Sequence, residues 1–366
     1  MKILIGMTRS DTVVSGSCKH ICQIGERFKQ EGVEVIYILG GSGVAIDKIR
    51  SEGFKVYQLS GLKRDLSFLS DALSLLMLMW IIIKERPSVC SWHTAKIGAL
   101  GRIAAMFTFC RSYYVPHGVP FVNTPENKGY KKFQILERVL SILPSKIIGV
   151  CQFDYNEYRR IGVSGKKLLV IPNGMKGKRN KQATAPVNSV MHFITAARFE
   201  AQKDYETLSK ACKKLHKENL DFKLDIYGDG FMELDVKVMF EGLSAGSVNF
   251  KGVVDDFTSK LTEADVFVLS SFWEGLPRSI IEAMACNKAI IASNVGGNSE
   301  LIINGETGYL VPIRDENLMF NAMKKYIVSP ELSVQHGTES YKHYAKNYTL
   351  DVMLDRYAVE YGITEK

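Results

Sequence analysis

At 366 residues the chain is too long for one ordinary core, which predicts two α/β domains. Its 46% hydrophobic and 23% charged residues are typical of a soluble globular protein and exclude a fibrous or disordered chain. The net charge of +8 favours anionic partners such as nucleotide phosphates, anionic lipid headgroups or nucleic acid. Seven cysteines without paired spacing indicate a reducing compartment and no disulfide framework.

The first half of the chain alternates short apolar strands with helices. The opening residues MKILIGM are followed at once by polar residues, which predicts a strand and no signal peptide. Residues 73–83 form the most apolar stretch, shorter than the roughly 20 residues that cross a bilayer. That stretch predicts a buried helix, with membrane contact as the alternative. The strands are predicted at 2–7, 33–39, 55–59, 88–92, 112–115, 146–150 and 168–171, and the helices at 18–30, 65–84 and 95–105.

The second half repeats the same alternation after a basic segment. Residues 175–189 hold four basic residues and almost no large apolar ones, which predicts an exposed linker and domain boundary. We expect an N-terminal Rossmann-like domain over 1–172, a second over 173–345, and a final helix within 346–366 that packs back on the first. Strands are predicted at 191–196, 223–227, 248–251, 266–269, 289–292 and 308–311, with helices at 278–285 and through 317–361.

The stretch from 264 to 298 contains two consecutive strand–turn–helix units. They place two helix N-termini at one edge of a parallel sheet, where open α/β sheets bind ligands and helix N-termini attract anions. Glu274 lies in the turn and Glu282 one turn into the helix. Sugar hydroxyls can donate to the first carboxylate, and a ribose can donate to the second. A glycosidase pair is the alternative, although two acids on one unit are poorly placed to flank a glycosidic bond.

Arg198 and Lys203 lie at the end of a predicted strand and just before a helix. Two cations at a sheet edge suit a diphosphate, which arginine grips in a bidentate manner and lysine as a point charge. The alternative is a pair of solvated surface charges.

Two other patterns carry weaker predictions. The first loop, residues 8–17, lacks the G-x-G-x-x-G of a dinucleotide site, and the glycine-rich run at 40–43 follows the wrong strand. Cys18, His20 and Cys22 have metal-ligand chemistry, but on a helix the two cysteines share a face and His20 points elsewhere. No metal site is predicted.

The motifs together resemble one known family. The chain resembles the retaining glycosyltransferases of family 4 in a series of motifs, which in chain order are VPHG, VIPNG, RFEAQKDYETL, YGDG, VNFKG, EGLPRSIIE and NGETGYLV. The resemblance covers nearly the whole chain and implies an α/β fold of GT-B architecture, with two doubly wound Rossmann-like domains facing across a cleft.

The resemblance also implies roles for particular residues. Arg198 and Lys203 are similar to the pair that binds the donor diphosphate, and Glu282 to the ribose ligand. His93 resembles a position near the acceptor, although a histidine that caps a turn fits equally well. The further donor-side positions are Glu274 beside the sugar, the backbone of Gly275, Leu276 and Pro277, His117 from the first domain, Gly16 in the first loop, and Gly228 in YGDG.

The chain departs from the family pattern at two places. Members often carry two glycines in the first loop, where this chain has Ser15-Gly16-Ser17. After Asn173-Gly174, where an apolar residue and an aspartate are usual, this chain has Met175 and Lys176. Position 176 is therefore assigned no role.

The implied reaction moves a hexose or N-acetylhexosamine from a nucleoside diphosphate sugar to a glycan hydroxyl, with retention by front-face attack. UDP-linked donors are favoured over GDP-mannose, no cofactor or metal is implied, and a polyprenyl-diphosphate-linked acceptor is expected. This places the protein in bacterial surface polysaccharide synthesis, in the cytoplasm or peripherally on the inner face of the membrane. A GT-B-like sugar-nucleotide epimerase and a non-catalytic sugar-nucleotide-binding protein stay open. A nucleic-acid-binding protein rests on net charge alone, and no recognition motif supports it.

A face of the first domain is the candidate membrane contact. Basic residues there alternate with apolar ones, a pattern that suits an anionic bilayer. Scattered solubilising charge is the alternative. The basic residues are Lys63, Arg64, Lys128, Lys131, Lys132, Arg159 and Arg160, and the apolar ones are Leu62, Leu66, Phe68, Tyr130 and Phe133.

Overall fold

A computed structural model of the protein describes residues 1–8, 16–63, 65, 67–122, 129–177 and 190–363. Arg64, Leu66, Lys128, Ser15 and most of the predicted linker lie outside the described residues. The chain divides into two compact units, each with its own sheet. The second unit holds Asn173–Val352, and the chain from Met353 onward belongs to the first unit.

The first unit contains a seven-stranded parallel sheet in the order β3-β2-β1-β4-β5-β6-β7. Its central strands are buried on both faces, as is usual for parallel strands, whereas the two edge strands are half-buried. The strands are β1 (Lys2–Met7), β2 (Glu34–Gly40), β3 (Lys55–Leu59), β4 (Val89–His93), β5 (Ser112–Val115), β6 (Ser145–Gly149) and β7 (Leu168–Val170). The helices between them are α1 (Gly16–Gln30), α2 (Val44–Ser51), α3 (Phe68–Glu85), α4 (Ala95–Phe107), α5 (Tyr130–Leu140) and α6 (Gln152–Arg160).

The second unit contains a six-stranded parallel sheet in the order β10-β9-β8-β11-β12-β13. Its strands are β8 (Met191–Ala196), β9 (Phe222–Tyr227), β10 (Val248–Gly252), β11 (Val266–Leu269), β12 (Ala289–Ser293) and β13 (Gly308–Val311). Its helices are α7 (Tyr205–Lys217), α8 (Glu233–Met239), α9 (Phe257–Leu261), α10 (Arg278–Ala285), α11 (Asn298–Leu301), α12 (Glu316–Val328) and α13 (Glu331–Asn347). The last helix, α14 (Leu350–Tyr361), runs from this unit into the first. The predicted doubly wound α/β architecture is confirmed.

Strand order decides on which face of the first sheet each helix lies. Right-handed crossovers toward β3 put α1 and α2 on one face, and crossovers in the opposite direction put α3, α4, α5 and α6 on the other. The end of α14 packs against α1, where Tyr361 contacts Phe28 with ring centroids 5.9 Å apart. The first sheet is therefore covered on both faces.

Helix α3 corrects one prediction. The apolar stretch 73–83 was expected to be buried, but only one side of α3 packs on the sheet, through Leu78, Ile81 and Ile82. No helix among the described residues is long and apolar enough to cross a membrane. The exposed apolar side chains of α3 are 46% to 89% accessible: Phe68, Leu69, Leu73, Leu76, Met77, Trp80 and Ile83.

A buried ion pair joins α4 to α5. Arg102 donates from Nη2 to both carboxylate oxygens of Glu137, each at 3.0 Å, and from Nε to the carbonyl of Gly98 at 2.9 Å. Arg102 also lies over the ring of Tyr114, 4.2 Å from its centroid. Burial raises the pKa of Glu137, and the Arg102 charge opposes that shift. The pair positions α5, because the other residues of that helix except Leu140 are exposed or half-buried.

Replacing Arg102 by methionine is expected to lower the free energy of unfolding by about 3–5 kcal/mol, because it leaves a buried carboxylate without its partner. Urea denaturation measures the change. Adding Glu137→Leu should recover most of the loss. As the matched control, Arg160→Met breaks the exposed pair of Arg160 with Glu157 and should cost less than about 1 kcal/mol. An equally small loss for Arg102→Met would contradict the assignment.

Candidate active site

The site in the second unit forms where strand order reverses. β8 and β11 are neighbours, with Phe193 opposite Val266 and Ile194 opposite Phe267. From β8 the chain proceeds toward β9 and β10, and from β11 toward β12 and β13. Such a switch point leaves a crevice at the carboxyl ends of the two strands. The loops after β8 and β11, which carry the predicted residues, meet there.

Hydrogen bonds of supporting residues, which are not candidate ligand-binding groups, join the two loops. Ser270 is buried at the end of β11, and Gln202 lies in the 3₁₀ turn before α7. Their bonds hold the two loops in register. Ser270 Oγ donates to the carbonyls of Lys203 at 3.0 Å and Asp204 at 2.9 Å, Phe272 N donates to Gln202 O at 2.8 Å, and Gln202 Nε2 donates to Trp273 O at 2.7 Å.

Lys203 and Glu274 are in direct contact as a result. Lys203 Nζ donates to Glu274 Oε1 at 2.5 Å, and Ser271 Oγ donates to the same oxygen at 2.6 Å. The side chains of the pair are 15% and 9% exposed, so the surrounding water screens their attraction only partly. A charge-assisted hydrogen bond between such groups is among the stronger polar contacts in proteins. The site therefore presents a cation and an acid at one point.

Arg198 belongs to the same loop but points to a different partner. Its guanidinium pairs with Glu200 at 2.8 Å, and the side chain is 58% exposed. An exposed ion pair of this kind adds little stability. Arg198 can therefore leave Glu200 for an anionic ligand with little loss of stability, whereas Lys203 is held by its bond to Glu274.

The segment Gly275–Pro277 connects Glu274 to α10. Asn173 Nδ2 donates to the carbonyl of Leu276 at 2.8 Å, and Gly297 N donates to that of Gly275 at 2.8 Å. Gly296 has φ 51°, and a Cβ there would lie 1.9 Å from the Glu274 carbonyl oxygen. Only glycine fits at that position. The glycine pair after β12 therefore packs against the loop that carries Glu274.

Helix α10 carries Glu282 one turn from its N-terminus and Arg278 four residues earlier. Both are half-buried. Burial lowers the pKa of the Arg278 guanidinium, and the Glu282 carboxylate opposes that shift. The sequence prediction gave Arg278 no role, although it stands within EGLPRSIIE. The second predicted N-terminus, that of α11, belongs to a helix of four residues and is too short to act as an anion site.

Gly228 closes β9 next to this site. Its φ is 150°, and a Cβ would lie 2.1 Å from the carbonyl oxygen of Ala197, at the end of β8. Its amide donates to the carbonyl of Gly252 at 2.9 Å. The close approach of backbone at the strand ends explains why a glycine stands here.

The first unit has a cluster of three histidines at its own switch point, between β1 and β4. His93 ends β4, His117 follows β5, and His20 comes from α1. His93 and His20 are fully buried, and His117 is half-buried. His93 Nδ1 and His117 Nε2 are 3.0 Å apart, within hydrogen-bond distance. His117 has φ 59°, a strained conformation for a residue other than glycine, which local structure must hold.

Among the described residues, these three histidines form the one group of His, Cys, Asp and Glu side chains that is placed to hold a metal ion. One nitrogen from each ring lies within 4.8 Å of the others, close enough to surround one ion. Two of those nitrogens already share a hydrogen bond, which a metal would have to break. Burial, with His117 as the second cause, lowers the pKa of His93 well below its usual value, so His93 is neutral. The sequence excluded His20 from a metal site with Cys18 and Cys22 because it faces away from them on the helix, whereas its ring neighbours, His93 and His117, lie on β4 and after β5.

Gly16 is the first residue of α1 and is exposed. The rest of the first loop, residues 9–15, lies outside the described residues.

Two family models together match almost the whole chain. The model described as Glycosyltransferase Family 4 matches residues 14–176, and the model described as Glycosyl transferases group 1 matches 178–343. Among curated relatives, UDP-Gal:alpha-D-GlcNAc-diphosphoundecaprenol alpha-1,3-galactosyltransferase of Escherichia coli is 28% identical over 88% of this chain and 87% of its own. The O-antigen biosynthesis glycosyltransferase WbnH of Escherichia coli is 25% identical over 98% of this chain and 97% of its own.

Solved structures agree on the fold. Anabaena Alr3699/HepE, in complex with UDP and glucose, has a TM-score of 0.82, 17% identity and full coverage of both chains. The architecture is that of the GT-B glycosyltransferases. The chain belongs to glycosyltransferase family 4.

Proposed function

We propose that this glycosyltransferase moves a hexose or N-acetylhexosamine from a UDP-linked donor to a hydroxyl of a lipid-linked glycan, with retention. The observation that carries the proposal is the contact of Lys203 with Glu274 at the switch point of the second sheet. A diphosphate needs a cation and a sugar needs a hydrogen-bond acceptor, and the site holds both. The E. coli galactosyltransferase, named for UDP-Gal and a diphosphoundecaprenol acceptor, supports the choice of donor and acceptor class.

The proposed roles follow from the placement of each group. Lys203 and Arg198 bind the diphosphate and stabilise the charge that develops on it as the bond to the sugar breaks. Glu274 accepts hydrogen bonds from sugar hydroxyls, and Glu282 from the ribose. The backbone amides of the first turn of α10 add donors for an anion.

The proposed reaction is a front-face exchange. The acceptor hydroxyl oxygen forms the bond to the anomeric carbon, the bond from that carbon to the phosphate oxygen breaks, and the hydroxyl proton passes to the departing phosphate. The protein contributes position and charge rather than a nucleophile. Because Lys203 and Arg198 supply positive charge, the proposed reaction needs no metal, and turnover should persist in EDTA.

A panel of nucleotide sugars tests the proposal, with and without a polyprenyl-diphosphate-linked acceptor. Nucleotide release that depends on the acceptor, with a product that retains the anomeric configuration, supports it. A changed sugar without acceptor would assign an epimerase instead. Binding of nucleotide sugar with no release under either condition would assign a binding protein.

We further propose that the face of the first unit formed by α3 and α5 rests on an anionic membrane at the cytoplasmic side. α3 and α5 lie on the same side of the sheet, and both helices expose apolar side chains. Exposed cations suited to lipid phosphates surround them. The α5 residues are Phe133, Ile135, Leu136 and Val139, and the cations are Lys63, Lys84, Arg86, Lys131 and Lys132. Arg159 and Arg160, on α6, are instead bonded to Val163 and Glu157.

Lys131→Glu with Lys132→Glu is expected to weaken binding to phosphatidylglycerol vesicles by about tenfold or more, since each basic residue near the surface contributes about 1 kcal/mol. Vesicle flotation measures the bound fraction. Leu69→Ser with Leu73→Ser should also release the protein, because both side chains are exposed. The control, Lys213→Glu with Lys217→Glu, changes the charge equally on α7 and should leave flotation unchanged. If the unaltered protein stays with neither anionic nor neutral vesicles, the membrane face is wrong.

A further inference from the structure

The end of α14 reaches the histidine cluster through a line of short hydrogen bonds. Tyr361, at the end of α14, donates from its hydroxyl to Ser91 Oγ at 2.6 Å. Ser91 Oγ is 2.9 Å from His93 Nε2, and His93 Nδ1 is 3.0 Å from His117 Nε2. Tyr361, Ser91 and His93 are buried, and His117 is the half-buried end of the line.

The chemistry of each group gives the line a direction. Burial raises the pKa of Tyr361, so its hydroxyl stays protonated and acts as a hydrogen-bond donor. Ser91 Oγ accepts the hydrogen bond from Tyr361, which leaves the Ser91 hydroxyl hydrogen to be donated to His93 Nε2. A neutral imidazole has a single N–H, so when Nε2 accepts from Ser91 the hydrogen of His93 is on Nδ1, facing His117 Nε2. His117 therefore accepts at Nε2, and its own hydrogen is on Nδ1.

We propose that Tyr361, Ser91 and His93 are positioning residues that hold His117 as the neutral Nδ1–H tautomer. The inference rests on the proposed function and on the donor-side position that the family resemblance implies for His117, and it names the ring atom that donates a hydrogen bond. In this tautomer Nδ1 is the one hydrogen-bond donor of the His117 ring. It cannot take up a proton at Nε2 unless the bond from His93 is broken.

A second contact supports the ring itself. His20 Nε2 is 3.2 Å from the hydroxyl of Tyr357, one helical turn before Tyr361 on α14. The His20 ring meets that of His117 edge-on, with centroids 4.9 Å apart and planes at 85°. The rings of His93 and His117 are stacked at 5.2 Å. Two tyrosines of α14 therefore contact neighbours of His117. Tyr361 acts through Ser91 and His93, and Tyr357 acts through His20.

Nitrogen-15 NMR of protein with labelled histidine tests the inference without any substrate. We expect His117 to show a proton on Nδ1 and none on Nε2, with resonances assigned through His117→Asn and His93→Asn. Ser91→Ala removes the donor to His93 Nε2 and is expected to abolish the preference, so that His117 carries its proton on Nε2 in a substantial fraction of the protein. Tyr361→Phe, which keeps the ring, should give a mixture of the two forms.

Tyr113→Phe is the matched control. Tyr113 is also buried and packs against Tyr361 with ring centroids 4.9 Å apart. Its hydroxyl donates to Glu360 and takes no part in the hydrogen bonds from Tyr361 to His117. This variant should keep the original tautomer. Tyr361→Phe should lower kcat about three- to tenfold, the effect of one neutral hydrogen bond, with the donor KM within about twofold. Tyr113→Phe should leave both constants unchanged.

The results separate this inference from the proposed function. A proton on Nε2 of His117 in the unaltered protein would overturn the inference, whatever the enzymatic activity. Stoichiometric zinc in protein purified without added metal would overturn it as well, since three imidazoles would then be ligands. The expected tautomer in a protein that transfers no sugar from any donor would uphold the inference and sink the proposed function.

Discussion

Lys203→Ala is expected to lower turnover by about two to three powers of ten, the usual effect of removing a group that stabilises transition-state charge. The structure adds a second reason. Lys203 is the cation bonded to Glu274, whose side chain is only 9% exposed. Without it, the donor diphosphate would approach an uncompensated carboxylate. Steady-state kinetics with saturating acceptor measures the change.

Two comparisons sharpen this prediction. Lys210→Ala, which breaks an exposed pair with Glu206 on α7, is the matched control and should leave turnover unchanged. Arg198→Ala should also lower turnover by about two to three powers of ten, since the proposal gives it a share of the same diphosphate. If Lys203→Ala kept full turnover with an unchanged melting temperature, the diphosphate assignment would be wrong.

Glu274→Ala is expected to abolish transfer while the protein still binds the nucleoside diphosphate. The carboxylate is proposed to hold the sugar, so its loss removes orientation of the reacting carbon. It also frees Lys203 for phosphate, so binding of UDP should be at least as tight as in the unaltered protein. Calorimetry measures the affinity, and a coupled assay for released nucleotide measures transfer.

The contrast with Glu282 makes the assignment specific. Glu282→Ala should weaken UDP binding, because the proposed ligand of that carboxylate is the ribose. Glu274→Gln keeps the size of the side chain and separates the loss of charge from the loss of volume. Loss of UDP binding in Glu274→Ala would move Glu274 from the sugar to the nucleotide.

Most of the fold could be predicted from the sequence, because buried parallel strands have an unmistakable composition. The runs Val266–Leu269 and Ala289–Ser293 are apolar on both faces and end at polar turns. The contacts within the candidate site could not be predicted in the same way. Lys203 and Glu274 could each be singled out, but they lie 71 positions apart, and their contact depends on the adjacency of β8 and β11.

The failures have physical causes too. Helix α3 is apolar almost all round, a pattern that predicts burial but cannot name what covers each side. His20 was judged with its neighbours Cys18 and Cys22, whereas its partners are His117 and Tyr357. Tyr357 is separated from His20 by 337 positions, and no local pattern connects a terminal helix to a histidine near the start of the chain.

The contact between Lys203 and Glu274 has a consequence for selectivity. In the contact as observed the two charges offset each other, so a small anion that binds Lys203 leaves the Glu274 carboxylate with Ser271 as its remaining side-chain donor among the described residues. In the proposed binding mode a sugar nucleotide compensates both partners at once, because its phosphates replace the carboxylate beside Lys203 and its hydroxyls replace the ammonium beside Glu274. Inorganic phosphate or a nucleotide without its sugar would compensate Lys203 but leave the Glu274 carboxylate without a replacement for the ammonium. Under the proposed roles, the pair therefore favours a ligand that places a phosphate on Lys203 and a sugar hydroxyl on Glu274 at the same time.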